Sequence, residues 1–236
     1  MSDHHELARA SMAVGGSVAV RLRARPIRST GKRAVDLLLA TTAMLVLLPL
    51  FIVATALVRA TSRGPAFFRQ TRIGRDMRPF EMWKFRTMYE DSDDAIHREF
   101  VAGLRKDIPS DRVDGQDVYK LTHDPRITPL GRWLRRLSVD ELPQLINVLQ
   151  GTMSLVGPRP ALSWELELFG TLPRYPDRFA VKPGITGLWQ VTGRSRTTFD
   201  EMVRLDLRYA RTCSIWTDIK ILLATPGAVF SGKGAC

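Results

Sequence analysis

The chain is poor in acid. Twenty-four aspartates and glutamates face 35 lysines and arginines, a formal net charge of +11 at neutral pH. That excess points to an anionic partner, and nucleic acid, anionic lipid and phosphorylated small molecules all meet it. Cysteine is nearly missing, with Cys213 and Cys236 alone. This excludes a disulfide framework and suits a catalytic part in a reducing compartment. No secretory signal is expected, because the apolar run starts late and no small-residue cleavage pattern precedes a mature domain. Internal repeats are absent. So is the interleaving of aromatic and basic residues used by single-strand binders, which removes the best support for a nucleic-acid partner.

What the chain does have is a long uncharged run, LLLATTAMLVLLPLFIVATALV at residues 37–58. At about 1.5 Å per residue it reaches roughly 33 Å, enough for a hydrocarbon core of about 30 Å. Pro49 near its middle deletes a backbone hydrogen bond and predicts a kink there. Both flanks are basic, with Arg21, Arg23, Arg25, Arg28, Lys32 and Arg33 before the run and Arg59, Arg63, Arg69, Arg72, Arg75 and Arg78 after it. Positive flanks favour the cytoplasmic side, and here both do. A re-entrant helix–break–helix satisfies both; a single span or a buried core helix are the alternatives. Residues 1–30 read as a mobile basic arm on anionic headgroups, or else a solvated tail. Residues 31–60 form the hairpin and 61–236 a cytoplasmic domain. The expected class is α+β, mainly α: amphipathic helices with one small β-hairpin.

Turn residues and alternation place that β-hairpin over residues 66–70 and 80–86, with Lys84 and Arg86 on one face as an anion cradle or as two solvated charges. Residues 89–119 are charge-dense and read as a surface excursion. Thr128-Pro129 starts a helix with Leu130, Trp133, Leu134 and Leu137 on one face and Arg132, Arg135 and Arg136 on another. Two prolines pin the backbone around Arg159 in VGPRP, so its guanidinium is presented from a rigid loop. Residues 182–187 read as a turn, 188–191 as a strand, and Thr198 with Glu201 as a capping box. The C-terminal stripe Trp216, Ile219, Leu222, Leu223 and Phe230, interrupted at Pro226, fits the membrane interface or the core equally.

Asp140-Glu141 is the sharpest constellation. Neighbours on a helix point about 100° apart, unsuited to a facing acid and base pair. They suit a nucleophile beside a metal ligand, with Arg132, Arg135 and Arg136 just upstream. Two structural readings compete: a capping box of Ser138 with Glu141, and an i,i+4 pair of Arg136 with Asp140. Asp206 is a carboxylate on an apolar helix face, where a salt bridge to an arginine is the ordinary outcome.

KRAVDLLLA at 32–40, WKFRTM at 83–88, DPRIT at 124–128, LSVDELPQLINVLQGTMSLVGPRP at 137–160 and KPGITGLWQVTGR at 182–194 together resemble the bacterial sugar transferase family, the monotopic polyprenyl-phosphate phosphoglycosyl transferases. The likeness is nearest to the exopolysaccharide-initiating galactose and glucose phosphotransferases. It implies transfer of a hexose 1-phosphate from a UDP-sugar to undecaprenyl phosphate, releasing UMP. It implies Asp140 as the nucleophile forming a covalent phosphosugar, and Glu141 as the Mg²⁺ ligand. Lys84, Arg86, Arg135 and Arg159 are the implied phosphate and nucleotide cations, with Asp206 and Arg194 in support. The implied location is the cytoplasmic face of the bacterial inner membrane, in contact with lipid, with a homo-oligomer left open. Members that break their membrane helix at Ser-Pro can use the hydroxyl to satisfy freed backbone groups; here Leu48 precedes Pro49. The rival reading is a non-enzymatic, membrane-anchored basic module binding anionic lipid or nucleic acid.

Overall fold

The uncharged run folds as two helices, α1 (Thr30–Val46) and α2 (Leu48–Thr61), bent by 61°. They belong to a computed structural model that describes residues 30–89, 112–113, 116–117, 124–163, 165–166, 174–193 and 199–230. The basic arm, most of the 89–119 excursion, Arg194 and the Thr198 cap lie outside the described residues. The break falls at Leu47 rather than at Pro49. Pro49 sits in the first turn of α2, where a backbone N–H would lack an intrahelical partner anyway. The ladder resumes at once, with the Leu47 N–H donating to Ala43 O and the Phe51 N–H to Leu47 O, both at 2.9 Å. No serine hydroxyl is used at the break.

Neither helix alone is long and apolar enough to cross a membrane; the bent pair passes that test together. Its inner side, Ala40, Phe51, Ala54 and Val58, is buried in the main core, while Leu38, Leu45, Val46, Ile52 and Val53 are exposed. Phe51 meets Phe85 at 5.6 Å between ring centroids, and Phe85 stacks on Phe67 at 5.1 Å. Those two phenylalanines face each other across the expected hairpin, β1 (Phe67–Ile73) with β2 (Pro79–Phe85). A further two-stranded ladder pairs β3 (Arg112–Val113) with β4 (Gln116–Asp117).

The Thr-Pro start is as expected. Thr128 accepts a hydrogen bond from the Gly131 N–H at 2.9 Å, and α3 runs over Pro129–Arg136. Its apolar face is only half used, since Leu134 is buried but Trp133 and Leu137 are exposed. The helix docks by its first turn instead: a Cβ on Gly131 would lie 2.1 Å from Thr87 O. Helix α4 (Gln144–Gln150) ends at Gly151 with φ 86°, the left-handed stop that glycine permits. The fully buried Asn147 stitches it to β2, donating to Glu81 O at 2.7 Å and accepting from the Trp83 N–H at 2.9 Å.

The strand expected at 188–191 is a helix, α5 (Leu188–Thr192). The strand lies just before it: β6 (Gly184–Thr186) pairs in parallel with β5 (Ser154–Val156). Glycines permit that approach, for a Cβ on Gly184 would meet Gly157 N at 2.0 Å. Helix α6 (Phe199–Thr212) buries Met202, Asp206, Tyr209 and Ala210 on one face, as its periodicity predicts. Helix α7 (Ile215–Phe230) continues through Pro226 instead of breaking. Its stripe divides, with Ile221 buried and Trp216 and Leu223 about three-quarters exposed.

Candidate active site

Asp140 is positioned by a sharp change of direction. As α3 ends, the Leu137 N–H donates to Trp133 O and the Ser138 N–H to Arg135 O. Ser138 then adopts φ 56°, ψ 20°, a left-handed conformation that costs a non-glycine residue about 1–2 kcal/mol. The turn Val139–Glu141 follows, leaving Asp140 buried and the Glu141 side chain about one-third exposed. Both competing structural readings fail here. Ser138 makes no side-chain cap, so there is no capping box. Helix α3 stops at Arg136, so no continuous helix carries an i,i+4 pair to Asp140.

Lys84 Nζ lies 3.1 Å from Glu141 Oε1. Arg135 donates through Nε to the Thr87 hydroxyl at 2.9 Å. Burial lowers the Arg135 pKa, and the charges of Asp140, Asp124 and Glu141 oppose the shift while Arg126 adds to it. Arg72, read from sequence only as a basic flank, is buried and pushed down to about 9 by that burial and by Arg159, with Glu165 and Glu141 pulling the other way. Arg72 is held by Gln70 Oε1, which accepts from Nε at 3.1 Å and Nη2 at 2.7 Å, and by Pro160 O, which accepts from Nη1 at 3.3 Å.

Arg86 and Lys84 do not share a partner: Arg86 keeps Nε and Nη1 buried without a hydrogen bond among the described residues. Strand β2 ends at Phe85, and Arg86 Nη2 turns to Ser62, donating to its carbonyl and its hydroxyl at 3.0 Å each. It fastens the exit of the bent apolar helix pair. Asp206 has the expected arginine: Arg178, at 2.6 Å, with both side chains 1% exposed. Arg178 also donates to the Tyr175 hydroxyl at 3.2 Å and to Arg159 O at 3.0 Å, so the pair holds the VGPRP loop from behind. Burial pushes the Asp206 carboxyl up to about 6 despite Arg178 beside it. Arg194 lies outside the described residues.

At the other end of the apolar pair, three residues of KRAVD grip the body. Lys32 pairs with Asp218 and donates to Val156 O at 3.2 Å. Arg33 donates to Leu149 O at 2.9 Å and to Val148 O, carbonyls at the end of α4. Asp36 accepts from the Ser154 hydroxyl at 2.8 Å and from the Leu155 N–H at 3.2 Å. Sequence reasoning missed these roles, and those of Arg72, Thr87 and Arg178. The one available signal was Asp36, a carboxylate at the mouth of an apolar run.

Among the described residues no three His, Cys, Asp or Glu side chains cluster as a metal cage. Mg²⁺ does not need one, since it takes one or two carboxylates and completes its octahedron with water and substrate phosphates. Glu141, partly exposed beside buried Asp140, fits that half-site.

The buried Asp140 thus follows directly on a helix whose last turn carries Arg135 and Arg136, in a body that grips an apolar helix pair at both ends. The chain belongs to the bacterial sugar transferase family, whose model matches residues 27–232. It is 38% identical over 211 residues to the exopolysaccharide production protein ExoY of Rhizobium meliloti, covering 89% of this chain and 90% of that one. It is 40% identical to the undecaprenyl-phosphate galactose phosphotransferase of Salmonella typhimurium, covering 86% of this chain and 41% of the relative. With the UDP-glucose:undecaprenyl-phosphate glucose-1-phosphate transferase of Escherichia coli the identity is 41%, at the same two coverages.

Proposed function

We propose that this enzyme transfers galactose 1-phosphate or glucose 1-phosphate from a UDP-sugar to undecaprenyl phosphate, releasing UMP and initiating an exopolysaccharide. The observation that carries the reading is Asp140 itself, buried on a strained turn beside Arg135 and next to Glu141 with its Lys84 partner. The relatives' activities supply the acceptor and the two sugars.

The chemistry runs in two displacements. An oxygen of the Asp140 carboxylate attacks the β-phosphorus, and the bond from that phosphorus to the bridging oxygen breaks. UMP leaves with the electron pair, and the sugar phosphate stays on Asp140. A phosphate oxygen of undecaprenyl phosphate then attacks the same phosphorus, and the aspartyl oxygen departs as carboxylate. Splitting the transfer lets donor and acceptor occupy the site in turn. A carboxylate meets a diphosphate only where charge is neutralised, the work assigned to Arg135, Arg72, Arg159 and Lys84. Mg²⁺, when bound at Glu141, supplies further neutralisation of the phosphate oxygens. Arg86, whose Nη2 holds Ser62, keeps Nε and Nη1 buried without a hydrogen bond among the described residues and joins this set of cations.

The membrane reading is re-entrant, at the cytoplasmic face of the inner membrane. It is supported by the grip at both ends: Lys32, Arg33 and Asp36 bind the body before the bend, and Ser62 and Val58 bind it after. A span would put the bilayer between two ends that hold one small body. The 17 and 14 residues of α1 and α2 reach about 26 and 21 Å, each short of a bilayer core of about 30 Å.

The test uses purified protein with undecaprenyl phosphate, Mg²⁺ and either UDP-galactose or UDP-glucose. One donor should release UMP and leave radiolabelled phosphosugar on the protein. Asp140→Asn should abolish both, because an amide is no competent nucleophile. Full activity in that variant would sink the covalent reading.

A further inference from the structure

Arg135 is held by something the proposed chemistry does not use. Its Nε donates to Thr87 Oγ1 at 2.9 Å, across 48 residues of sequence, and Thr87 is buried at 6% exposure. Thr87 is itself immobilised. Its carbonyl accepts from the Thr128 N–H at 3.0 Å, the neighbouring Met88 bridges to Ile127, and Gly131 packs against that same carbonyl with no room for a side chain. The end of the hairpin and the first turn of α3 therefore meet at Thr87, and Arg135 reaches back to the hydroxyl from the last turn of that helix.

A guanidinium tied at Nε keeps its planar fork of terminal nitrogens at one fixed angle. We propose that Thr87 is a positioning residue whose hydroxyl aims the terminal nitrogens of Arg135 at the reacting phosphate beside Asp140. This rests on the transferase reading above and adds to it the group that sets the geometry of its chief cation. Arg135 serves most where charge develops, so its misplacement lowers kcat more than it raises KM.

The test is a cycle on the purified enzyme, reading kcat and KM for UMP release. Thr87→Val keeps the shape and deletes the acceptor, and is expected to lower kcat about 10- to 100-fold, the range that an ångström-scale misplacement produces, with KM little changed. Thr87→Ser restores the hydroxyl and most of the rate. Arg135→Lys, which has no Nε to tie, lowers kcat alone, and adding Thr87→Val to it costs nothing more. Should Thr87→Val fail to accumulate, Thr87→Ala takes its place in the cycle. Losses that multiply in the double variant, or no rescue by serine, overturn the proposal, because Thr87 then acts on packing alone. So does full activity of Thr87→Val beside an impaired Arg135→Lys, an outcome that leaves the transferase reading intact. Full activity of Arg135→Lys instead removes Arg135 from the proposed chemistry, and the role of Thr87 falls with it.

Discussion

Replacing Arg178 with methionine would test how the VGPRP loop is held. Arg178 and the Asp206 carboxylate are both 1% exposed and 2.6 Å apart. The substitution strips a donor from three acceptors at once: that carboxylate, the Tyr175 hydroxyl and the Arg159 carbonyl. Breaking a buried ion pair from one side costs about 3–5 kcal/mol. In a domain of this size each kcal/mol moves Tm by about 2–4 °C, so a fall of roughly 6–20 °C is expected. A second signature lies in pH. Burial already holds the Asp206 carboxyl at about 6 with the guanidinium beside it, and without that charge it rises further. A carboxyl raised on folding contributes stability that is complete below its unfolded pKa and lost as pH climbs through its folded one. In the parent that loss ends just above pH 6. In the variant it continues through neutrality at up to about 1.4 kcal/mol per pH unit. Thermal unfolding in nanodiscs at pH 6 and pH 8 should therefore show a parent-to-variant gap that widens with pH. Adding Asp206→Leu removes both charges and should recover part of the loss and flatten the pH response. A variant Tm within about 2 °C of the parent, or a gap unchanged between the two pH values, would refute this account of the pair.

Glu141→Gln should lose activation by Mg²⁺ together with rate, and a normal Mg²⁺ titration of the variant would remove Glu141 from the metal site. Gly131→Ala drives a Cβ to 2.1 Å from Thr87 O, so backbones must part; a cost of about 1–3 kcal/mol in thermal unfolding is expected, and an unchanged Tm would deny the close approach. Pro49→Ala restores a donor in the first turn of α2 and should let part of the population straighten, against the pull of both basic flanks. Thr30→Cys and Arg63→Cys, each in a chain without Cys213 and Cys236, report on it in intact cells treated with an impermeant thiol reagent. Neither should label in the Pro49 parent, and outside labelling of Thr30→Cys there would overturn the re-entrant topology.

Local pattern made much of the scaffold readable. Alternation located the hairpin, the Thr-Pro pair located α3, and the period of α6 put Asp206 inward with its arginine still to be named. What escaped depends on partners distant in sequence. Lys32 meets Asp218, Asp36 meets Ser154, and Arg178 meets Asp206, pairings that no window of residues contains. The strand at 184–186 was hidden for a related reason. A glycine inside a strand reads as a turn until the opposing glycine, Gly157, is known to need the space. The break moved from Pro49 to Leu47 because proline is well tolerated in a first turn, so a helix can restart just ahead of it.

Arg86 shows how far alternation alone can be followed. Alternation puts Lys84 and Arg86 on one face, and two cations on one face suggest one anion. The strand stops at Phe85, however, so the next side chains leave in different directions. Lys84 goes to Glu141, Arg86 to the carbonyl and hydroxyl of Ser62, and Thr87 to the guanidinium of Arg135. Within four residues the chain touches the carboxylate assigned to the metal, the exit of the apolar helix pair and the guanidinium of Arg135. The KFRT segment is a junction in which Arg86 still carries two buried nitrogens without a hydrogen bond among the described residues. Ser62, at the end of the apolar helix pair, is thus joined to Glu141 and to Arg135 through hydrogen bonds made by the residues of one short segment.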